Sequence, residues 1–590
     1  MSISPETVDP VAHNSAIPII IGVTGHRDLR PADTPRLKDQ VRAILEDLRR
    51  KHPATPLLVL SPLAEGADRL VANAALEQEA RLVVPLPLPR EEYKRDFKTK
   101  ESKNEFSELL RQAWKCFEIP LMKGSTHTSI ADAGSERDKH YTQVGAYIAR
   151  HSHILIALWD GEQTGLEGGT GQIVDFKLNG IPAPYAPPQR SLDIVDNGPV
   201  YQVVTPRAKN PHPQGTPFKL EIRFPEGWKS SESLEKSYGR ILKQMDAFNE
   251  DARRLRQKLA VTARKNRDTV IPEHESAKMP ESARFILEQY TVADTLALYF
   301  QKRRRLTLAT LFILAVVAVL SFEVYAHLVA HPFVLAVYPL SLASAVSLYL
   351  LAKRKDYQNK HLDFRALAEG LRVQLFWIMA GSSEDVADHY LRQHRTELEW
   401  IRNAIRAWNV LAEPGCLSIN LVDGANAGVN SGSSEFILEH WVEHQRAFFD
   451  RAKKRDHDKL KVREFMSQSL FAFGLALAVL VVFLHVSLPG FGESSRGRSL
   501  LIVVMAISPA IAAAIGGYAE KMAFSAQAKR YEWMKALFDR AASQLRELLD
   551  HKDWARAQEL ILDLGKEALE ENGDWVMIHR ERTADVYKGA

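Results

Sequence analysis

Two uncharged segments near the middle of the chain set its architecture: LTLATLFILAVVAVLSF (Leu306–Phe322) and PFVLAVYPLSLASAVSLYLLA (Pro332–Ala352). They contain 17 and 21 residues and are separated by a short connector. A hydrocarbon core of ~30 Å is crossed by about 20 apolar residues of helix, so the two segments predict a transmembrane hairpin. A second pair of the same character, Ser467–Leu484 and Ser499–Ala519, predicts a second hairpin.

Basic residues flank these segments. Lys302–Arg305 comes directly before the first pair and Lys353–Lys355 directly after it, whereas the connector Glu323–His331 contains no Lys or Arg. The positive-inside rule therefore places both ends of this pair in the cytoplasm. Arg496 and Arg498 in the second connector weaken the bias there, but the flanks favour the same orientation. We expect a multi-pass protein of the cell inner membrane with cytoplasmic N- and C-termini.

Outside the apolar segments, the composition is that of a soluble protein. The 590 residues are 45% hydrophobic and 25% charged, and the net charge is only +4, so no specific nucleic-acid partner is expected. Two distant cysteines, Cys116 and Cys416, form neither a zinc pattern nor a disulfide framework, as in a reducing compartment. The polar segment Met1–Ala16 lacks the apolar core of a signal peptide, so the N-terminal region is expected to stay in the cytoplasm.

Strands alternate with helices in the first third of the chain. Apolar runs predict strands at Ile17–Val23, Leu57–Leu60, Arg81–Leu86, Ile154–Trp159 and Val200–Val204. Helical patterns separate them, and Arg90–Phe117 is predicted to be a charged helical region. This alternation predicts a parallel sheet with helices on both faces. With right-handed crossovers it becomes an open α/β domain, a doubly wound Rossmann-like parallel sheet over residues 17–207.

The remainder is predicted to be an all-α membrane region in three parts. Residues 208–300 form a linker and cytoplasmic helices, the last of which runs directly into the first apolar segment. Residues 301–411 form the first two-span hairpin with its following helices, and residues 435–590 the second hairpin with C-terminal helices and a tail. Hairpin and following amphipathic helix thus occur twice. Since four helices from one chain pack without a channel, a conducting form would need several chains, and we expect a homo-oligomer in the lipid bilayer.

Small and polar residues follow three of the predicted strands. In a doubly wound sheet, ligands bind at the carboxyl ends of strands where the strand order reverses. Glycines at a helix start let backbone amides approach a phosphate, and Arg27 offers a bidentate phosphate contact. The predicted ligand-binding residues are Gly22, Thr24, Gly25, His26 and Arg27 after the first strand, Glu65, Gly66 and Asp68 after the second, and Asp160, Gly161, Gly168, Gly169, Thr170 and Gly171 after the fourth.

Each of these signals also has a purely structural explanation. A glycine after a strand is often only a turn residue. His26 can brace a loop, and Asp68 can be a first-turn residue that the helix dipole favours. Asp160 can be an ordinary polar residue of a loop. The sequence shows no metal-ligand spacing and no paired catalytic residues.

The same residues carry a resemblance to known families. The first 205 residues or so resemble the SLOG superfamily, which includes LOG nucleotide hydrolases, DprA-like proteins and nucleotide-sensing domains of bacterial conflict systems. The matching runs are GVTGHRDL (Gly22–Leu29), LSPLAEGADRLVA (Leu60–Ala72), LVVPLPLPREEY (Leu82–Tyr93), LIALWDG (Leu155–Gly161) and GGTG (Gly168–Gly171). The rest resembles SLATT-type two-span effectors, through FRALAEGLRVQLFW (Phe364–Trp377) and GDWVMIHRER (Gly573–Arg582).

The resemblance implies a sensor joined to a membrane effector. The Rossmann-like domain would bind a nucleotide or ADP-ribose-like signal, with no other cofactor. The effector would oligomerise and perturb or perforate the membrane, as part of an anti-phage system.

One departure from the family pattern bears on catalysis. LOG hydrolases carry a PGGxGT run followed by a Glu, whereas this chain has EGGTGQ (Glu167–Gln172), without the Pro and without a matching Glu. This favours a sensor over an enzyme. Two alternatives stay open: a membrane-anchored nucleotide glycohydrolase that uses Glu65, Asp68 or Asp160, and a passive membrane scaffold that binds nothing.

Overall fold

The computed structural model of the chain describes residues 16–187, 195–225, 231–390, 398–413, 431–487 and 496–581. Several sequence predictions lie wholly or partly outside these ranges. They are the polar segment before Ala16, Cys416, the connector between the second pair of apolar segments, and the end of the tail motif at Arg582.

A seven-stranded sheet organises the N-terminal part. Its strands are β1 (Ile19–Gly25), β2 (Leu57–Leu60), β3 (Arg81–Leu86), β4 (Lys115–Glu118), β5 (Ile154–Trp159), β6 (Val200–Val204) and β7 (Leu220–Arg223). The strand order is β4-β3-β2-β1-β5-β6-β7. All neighbouring strands are parallel except β6 and β7, which are antiparallel. The direction of winding therefore changes between β1 and β5.

The predicted strands are confirmed, and two further strands lie at the edges of the sheet. β2, β3, β5 and β6 have the predicted bounds, and β1 lies two residues later than predicted. The prediction of helix over Arg90–Phe117 is wrong at its end, because β4 begins at Lys115. Only Phe117 of this short edge strand is buried, which leaves no apolar alternation to detect. β7 extends the sheet beyond residue 207.

Helices cover both faces of the sheet. They are α1 (Thr34–Lys51), α2 (Ala67–Glu77), α3 (Arg90–Lys94), α4 (Lys100–Gln112), α5 (Ser135–His151) and α6 (Thr170–Asn179). A Cβ on Gly22 of β1 would lie 2.8 Å from Ile148 of α5, and one on Gly25 would lie 2.4 Å from Ala67 of α2. Since residues three apart on a strand point to opposite faces, α2 and α5 pack on opposite sides of β1.

The rest of the described chain is helical. Its helices are α7 (Ser231–Val270), α8 (Glu273–Ser276), α9 (Glu281–His327), α10 (Pro332–Lys355), α11 (Tyr357–Met379), α12 (Glu399–Ala412), α13 (Ser431–Ile437), α14 (His444–Ser487), α15 (Arg496–Lys521), α16 (Phe524–Asp550) and α17 (Trp554–Glu581). Four of them, α9, α10, α14 and α15, contain segments long and apolar enough to cross a membrane. The predicted cytoplasmic helix and the first apolar segment form one continuous helix, α9.

Close contacts join the apolar helices. A Cβ on Gly517 of α15 would lie 3.0 Å from the Phe312 ring of α9. Ser467 Oγ of α14 donates to the Ala512 carbonyl of α15 at 2.9 Å. Small residues at such contacts let helix backbones approach each other closely. Large side chains such as Phe333 are exposed elsewhere on these helices, as lipid-facing side chains would be.

The segments at the amino ends of β1 and β6 form hydrogen bonds with the helical part. Asn249 of α7 donates to the Ile17 carbonyl at 2.9 Å and accepts from the Ile17 amide at 2.8 Å, directly before β1. Asp196, which precedes β6, accepts from Arg402 at 2.9 Å and from Arg406 at 2.8 Å, both on α12. The carboxyl ends of the parallel strands lie at the opposite edge of the sheet.

Candidate ligand site at the strand ends

Asp160, directly after β5, is fully buried, and each of its side-chain oxygens has partners. His26 Nε2 lies 3.0 Å from Asp160 Oδ1, and Arg207 Nε donates to Oδ2 at 2.8 Å. Asn210 and the Glu162 amide add hydrogen bonds of 3.1 and 3.2 Å. Burial alone would raise the pKa of Asp160, but these donors lower it below its usual value. The geometry favours a positioning role for His26 and Asp160, and a ligand contact there stays a prediction.

Glycines bring the strand ends close to the start of α2. Gly66 has a φ of +82°, and a Cβ there would lie 2.5 Å from the carbonyl oxygens of His26 and Arg27. Glycine is the residue that combines this backbone conformation with such a close approach. Together with the helix contacts at Gly22 and Gly25, this explains three predicted glycines by packing.

Arg27 stays exposed at the end of β1. Its guanidinium lies 5.5 Å from the ring centroid of Tyr141, within cation–π range. The Tyr141 hydroxyl donates to Asp96 and accepts from Arg137 Nε at 3.0 Å. Arg137 Nη2 also donates to Asp96 Oδ1 at 2.7 Å, which closes a triangle of hydrogen bonds. This triangle fixes the tyrosine ring against Arg27.

Sequence reasoning misses Tyr141, Arg137 and Asp96. Arg137 and Tyr141 lie four residues apart in the first turns of α5, whose start is at the carboxyl edge of the sheet. That spacing is the available signal, because it places both side chains on one face of the helix. It does not distinguish a ligand site from an ordinary helix surface. Asp96 lies in a loop, where no periodic pattern marks it.

The late glycine run lies beside the same tyrosine. Gly168 has a φ of +72°, and a Cβ there would lie 3.1 Å from Tyr141 Cβ. Its amide donates to Gln172 Oε1 at 2.7 Å. Within residues 16–187, the amides of Thr170 and Gly171 at the start of α6 have no protein acceptor. Free amides at a helix N-terminus form a favourable position for an anion.

Asp68 lies in the first turn of α2, and Glu65 comes shortly before that helix. The Ala64 amide donates to Asp68 Oδ2 at 3.3 Å. Burial raises the pKa of Asp68 to about 7, although this hydrogen bond and the charge of Arg27 oppose the rise. Glu65 accepts from the Ser102 hydroxyl. Asp68 therefore changes its charge close to neutral pH, next to an exposed cation.

The predicted site residues fall into two groups. Arg27 presents a charge outward, and Thr170 presents an amide at the start of α6. Packing, turn geometry or internal hydrogen bonds account for Gly22, Thr24, Gly25, His26, Glu65, Gly66, Asp68, Asp160, Gly161, Gly168, Gly169 and Gly171. For this second group, direct ligand contact stays a prediction. The described residues contain no group of three or more His, Cys, Asp or Glu side chains arranged to hold a metal ion.

Comparison of the chain with protein-family models finds no match, and comparison with curated proteins finds none either. The resemblance to SLOG and SLATT proteins therefore stays a hypothesis.

Proposed function

We propose that this protein is a membrane-embedded sensor and effector. A phosphate-bearing, nucleotide-derived molecule binds at the strand ends, and binding rearranges the apolar helices and perturbs the membrane. In this proposal the sheet is a doubly wound, Rossmann-like domain of the SLOG type. The apolar helices form two SLATT-like hairpins in the inner membrane of a homo-oligomer that acts against phage. One observation carries the proposal: α5 has one end in the candidate site and the other on the helical part.

The strand-end site has the chemistry that a nucleotide phosphate requires. Arg27 offers an exposed guanidinium, whose planar fork matches two phosphate oxygens. The amide of Thr170 adds a donor at the positive end of a helix dipole. The fixed ring of Tyr141 supplies an aromatic face between these two groups.

Helix α5 connects this site to the helical part. Arg137 and Tyr141 lie in its first turns, and Arg150 lies in its last turn. A helix of this length spans about 25 Å. Arg150 forms an ion pair with Asp388, which also accepts from Arg406 of α12 at 3.2 Å. A displacement of α5 at the site would therefore act on a buried ion-pair network.

From that network the connection continues to the first apolar segment. α11 packs along α9, and Arg365 of α11 donates to Asp294 of α9 at 2.7 Å. α9 then runs without interruption through its apolar half. Rigid elements of this kind transmit a change only if the ligand prefers one of two arrangements. The proposal therefore requires tighter binding to the membrane-active arrangement.

A membrane-anchored nucleotide glycohydrolase is the second candidate function. The observation that favours it is the pKa of about 7 at Asp68, a value suited to acid–base catalysis at neutral pH. In this reading the neutral Asp68 protonates the base as the glycosidic bond breaks, water adds to the anomeric carbon and gives a proton back to Asp68, and Arg27 holds the phosphate. Release of free base from a nucleotide by the purified protein, abolished by Asp68→Asn, would support this candidate over the sensor.

The sensor is tested by dye leakage from liposomes that contain the full-length protein. The probes are ADP-ribose, cyclic ADP-ribose, NAD, AMP and cyclic dinucleotides, and binding is measured separately by thermal shift. Arg27→Ala is expected to abolish both binding and leakage. Arg150→Ala is expected to retain binding and lose leakage, because it breaks the link between α5 and Asp388. Arg50→Ala, which changes an exposed arginine at the end of α1, is the matched control.

Two results would contradict the proposal. In the first, none of the probes binds the wild-type protein, which would support a passive scaffold. In the second, leakage in the presence of a bound probe is unchanged by Arg27→Ala.

A further inference from the structure

A cavity of about 370 Å³ lies in the helical part, next to the membrane-length helices. Its lining residues come from α9, α11, α14, α16 and α17 and from the turn that precedes α14. α9 and α14 contain the first and third apolar segments, and α11 and α16 directly follow α10 and α15. Each apolar segment is thus connected to the cavity wall, either directly or through the next helix.

Part of the cavity wall is charged but internally neutralised. Arg372 Nη1 lies 3.1 Å from Glu369, and its Nη2 donates to the Tyr290 hydroxyl at 3.0 Å. Arg365 pairs with Glu369 as well as with Asp294. Buried ions are tolerated when they are paired in this way. These side chains need no further counter-ion.

A second set of cations in the wall has fewer paired carboxylates than charges. Arg304 Nη2 donates to the Lys521 carbonyl at 3.5 Å, and Arg305 Nη2 donates to Gln301 Oε1 at 3.0 Å. Among the residues that the structure describes, no carboxylate lies within ion-pair distance of Arg304 or Arg305. Lys459 pairs with Asp456 at 3.6 Å, but the same carboxylate also pairs with Arg455 at 2.9 Å, so one carboxylate is shared by two cations.

Like charges act on two members of this set. Burial lowers the pKa of Arg304; Tyr518 opposes the shift and the charge of Arg305 adds to it. Burial also lowers the pKa of Lys459; Asp456 opposes the shift, and the charges of Arg455 and Arg305 add to it. Neighbouring like charges in a partly desolvated cavity are unfavourable unless an anion joins them.

A small apolar cluster lies next to the set of Arg304, Arg305 and Lys459. Leu308 and Met522 form a small buried cluster with Phe312, Leu460 and Tyr518. Met522 also lines the cavity, so the cluster adjoins the cavity on the side of the apolar segments. Arg304 and Arg305 directly precede the first of these segments. In a membrane crossed by α9, the cation set would therefore lie near the boundary between the hydrocarbon core and the lipid phosphates.

We propose that this cavity binds a phosphate-bearing anion through Arg304, Arg305 and Lys459. Guanidinium and ammonium groups on two helices would then share one phosphate, which would tie α9 to α14 at the ends of the first and third apolar segments. The phosphate belongs either to the headgroup of an anionic lipid or to a soluble phosphate compound. This site is separate from the strand ends, so it stands or falls independently of the proposed nucleotide site.

The test uses the full-length protein in detergent and in phosphatidylcholine nanodiscs. Binding is measured by thermal unfolding and by native mass spectrometry, with inorganic phosphate, pyrophosphate and phosphatidylglycerol as probes. The cavity variants are Arg305→Gln and the double variant Arg304→Gln/Arg305→Gln. The matched control is Lys302→Gln/Arg303→Gln, which removes the same charge from exposed neighbouring positions outside the cavity lining.

At least one probe is expected to stabilise the wild-type and control proteins. Arg305→Gln is expected to weaken its binding about tenfold, as for the loss of one charged hydrogen bond, and the double variant more. Selective stabilisation by phosphatidylglycerol identifies a lipid ligand, and stabilisation by phosphate or pyrophosphate identifies a soluble one. The proposal is overturned if no probe binds the wild type, if the cavity variants bind normally, or if the control loses as much affinity. Should the double variant misfold, the exposed Arg305→Gln decides alone.

Discussion

The amino and carboxyl ends of the parallel strands differ in whether their charged and polar groups are paired within the protein. At the amino end, Asp196 is bound by Arg402 and Arg406, and these charges hold the sheet to the helical part. At the carboxyl end, Arg27 is exposed and the first amides of α6 lack protein acceptors within residues 16–187. One end is fixed by buried ion pairs, and the other keeps donors available, as the proposed ligand recognition requires. α5 reaches from one to the other.

The largest effect is expected from Asp196→Ala at the attached end. Without this carboxylate, the buried Arg402 loses the carboxylate with which it pairs and Arg406 keeps its pair with Asp388, and removing one partner of a buried pair costs roughly 3 kcal/mol. Thermal and urea unfolding of the full chain measure the loss. Asp175→Ala, which changes an exposed aspartate on α6, is the control and is expected to be nearly neutral. Equal stability of the two variants would show that the attachment does not depend on this network.

The same residue predicts an acid dependence. Burial opposes ionisation, but Arg406 and Arg402 lower the pKa of Asp196 well below its usual range. A carboxylate with a lowered folded-state pKa stabilises the fold above its unfolded value of about 4, and the stabilisation is lost as the pH falls below that value. Stability measured from pH 7 down to pH 3 should therefore fall less steeply in Asp196→Ala than in the wild type.

Gly66→Ala is expected to have the next largest effect. The substitution forces a Cβ into a positive-φ conformation and to within 2.5 Å of two carbonyl oxygens. Backbone strain of this kind costs roughly 1–3 kcal/mol, and the clash adds to it. Gly124→Ala is the control, because its φ is +93° but nothing lies within 4 Å of the added atom. If both variants lose equal stability, the close approach of α2 to the end of β1 contributes nothing.

Asp68→Asn tests the pKa of a buried carboxyl near the carboxyl ends of the strands. Burial raises the pKa of Asp68 to about 7, so the folded state favours the neutral carboxyl. Its contribution to stability is complete below the unfolded value of about 4 and is lost as the pH rises through about 7. The variant should therefore be more stable than the wild type at pH 8 and nearly equal to it at pH 4. A stability difference that does not change with pH would contradict the raised pKa.

The smallest change in stability is expected for Arg27→Ala, although its effect on binding is large. Arg27 is exposed, so its loss should change the free energy of unfolding by less than about 0.5 kcal/mol. Affinity for a phosphate-bearing probe should fall roughly ten- to a hundredfold, as for a lost charged hydrogen bond. Calorimetric titration measures the affinity, with Arg50→Ala as control. A variant that loses stability but not affinity would assign Arg27 to structure.

Patterns within the chain were enough to predict the inner strands and the apolar helices. β2, β3, β5 and β6 have the predicted bounds, because central strands of a parallel sheet are continuous apolar runs. The four helices of membrane-spanning length and hydropathy contain the four uncharged segments of the sequence. Both signals are local, since each depends on the residues of one segment and on the solvent that surrounds it.

Features that depend on distant residues could not be predicted in this way. The edge strands β4 and β7 are short and only partly buried, so hydrogen bonding to a neighbouring strand defines them. Tyr141 becomes part of the candidate site because Asp96 and Arg137 orient it against Arg27.

Local pattern thus identified segments that would be buried in a core or in lipid, since burial follows from the apolar character of each segment. Tertiary packing determines which charged side chains are exposed and which are buried in ion pairs. Arg27 and Arg402 are both arginines in the sequence, but one is exposed at a strand end and the other is buried against Asp196. The cation set of Arg304, Arg305 and Lys459 likewise arises only when α9 and α14 meet. The effect of a charge depends on its distance to other charges and to water, and folding sets both distances.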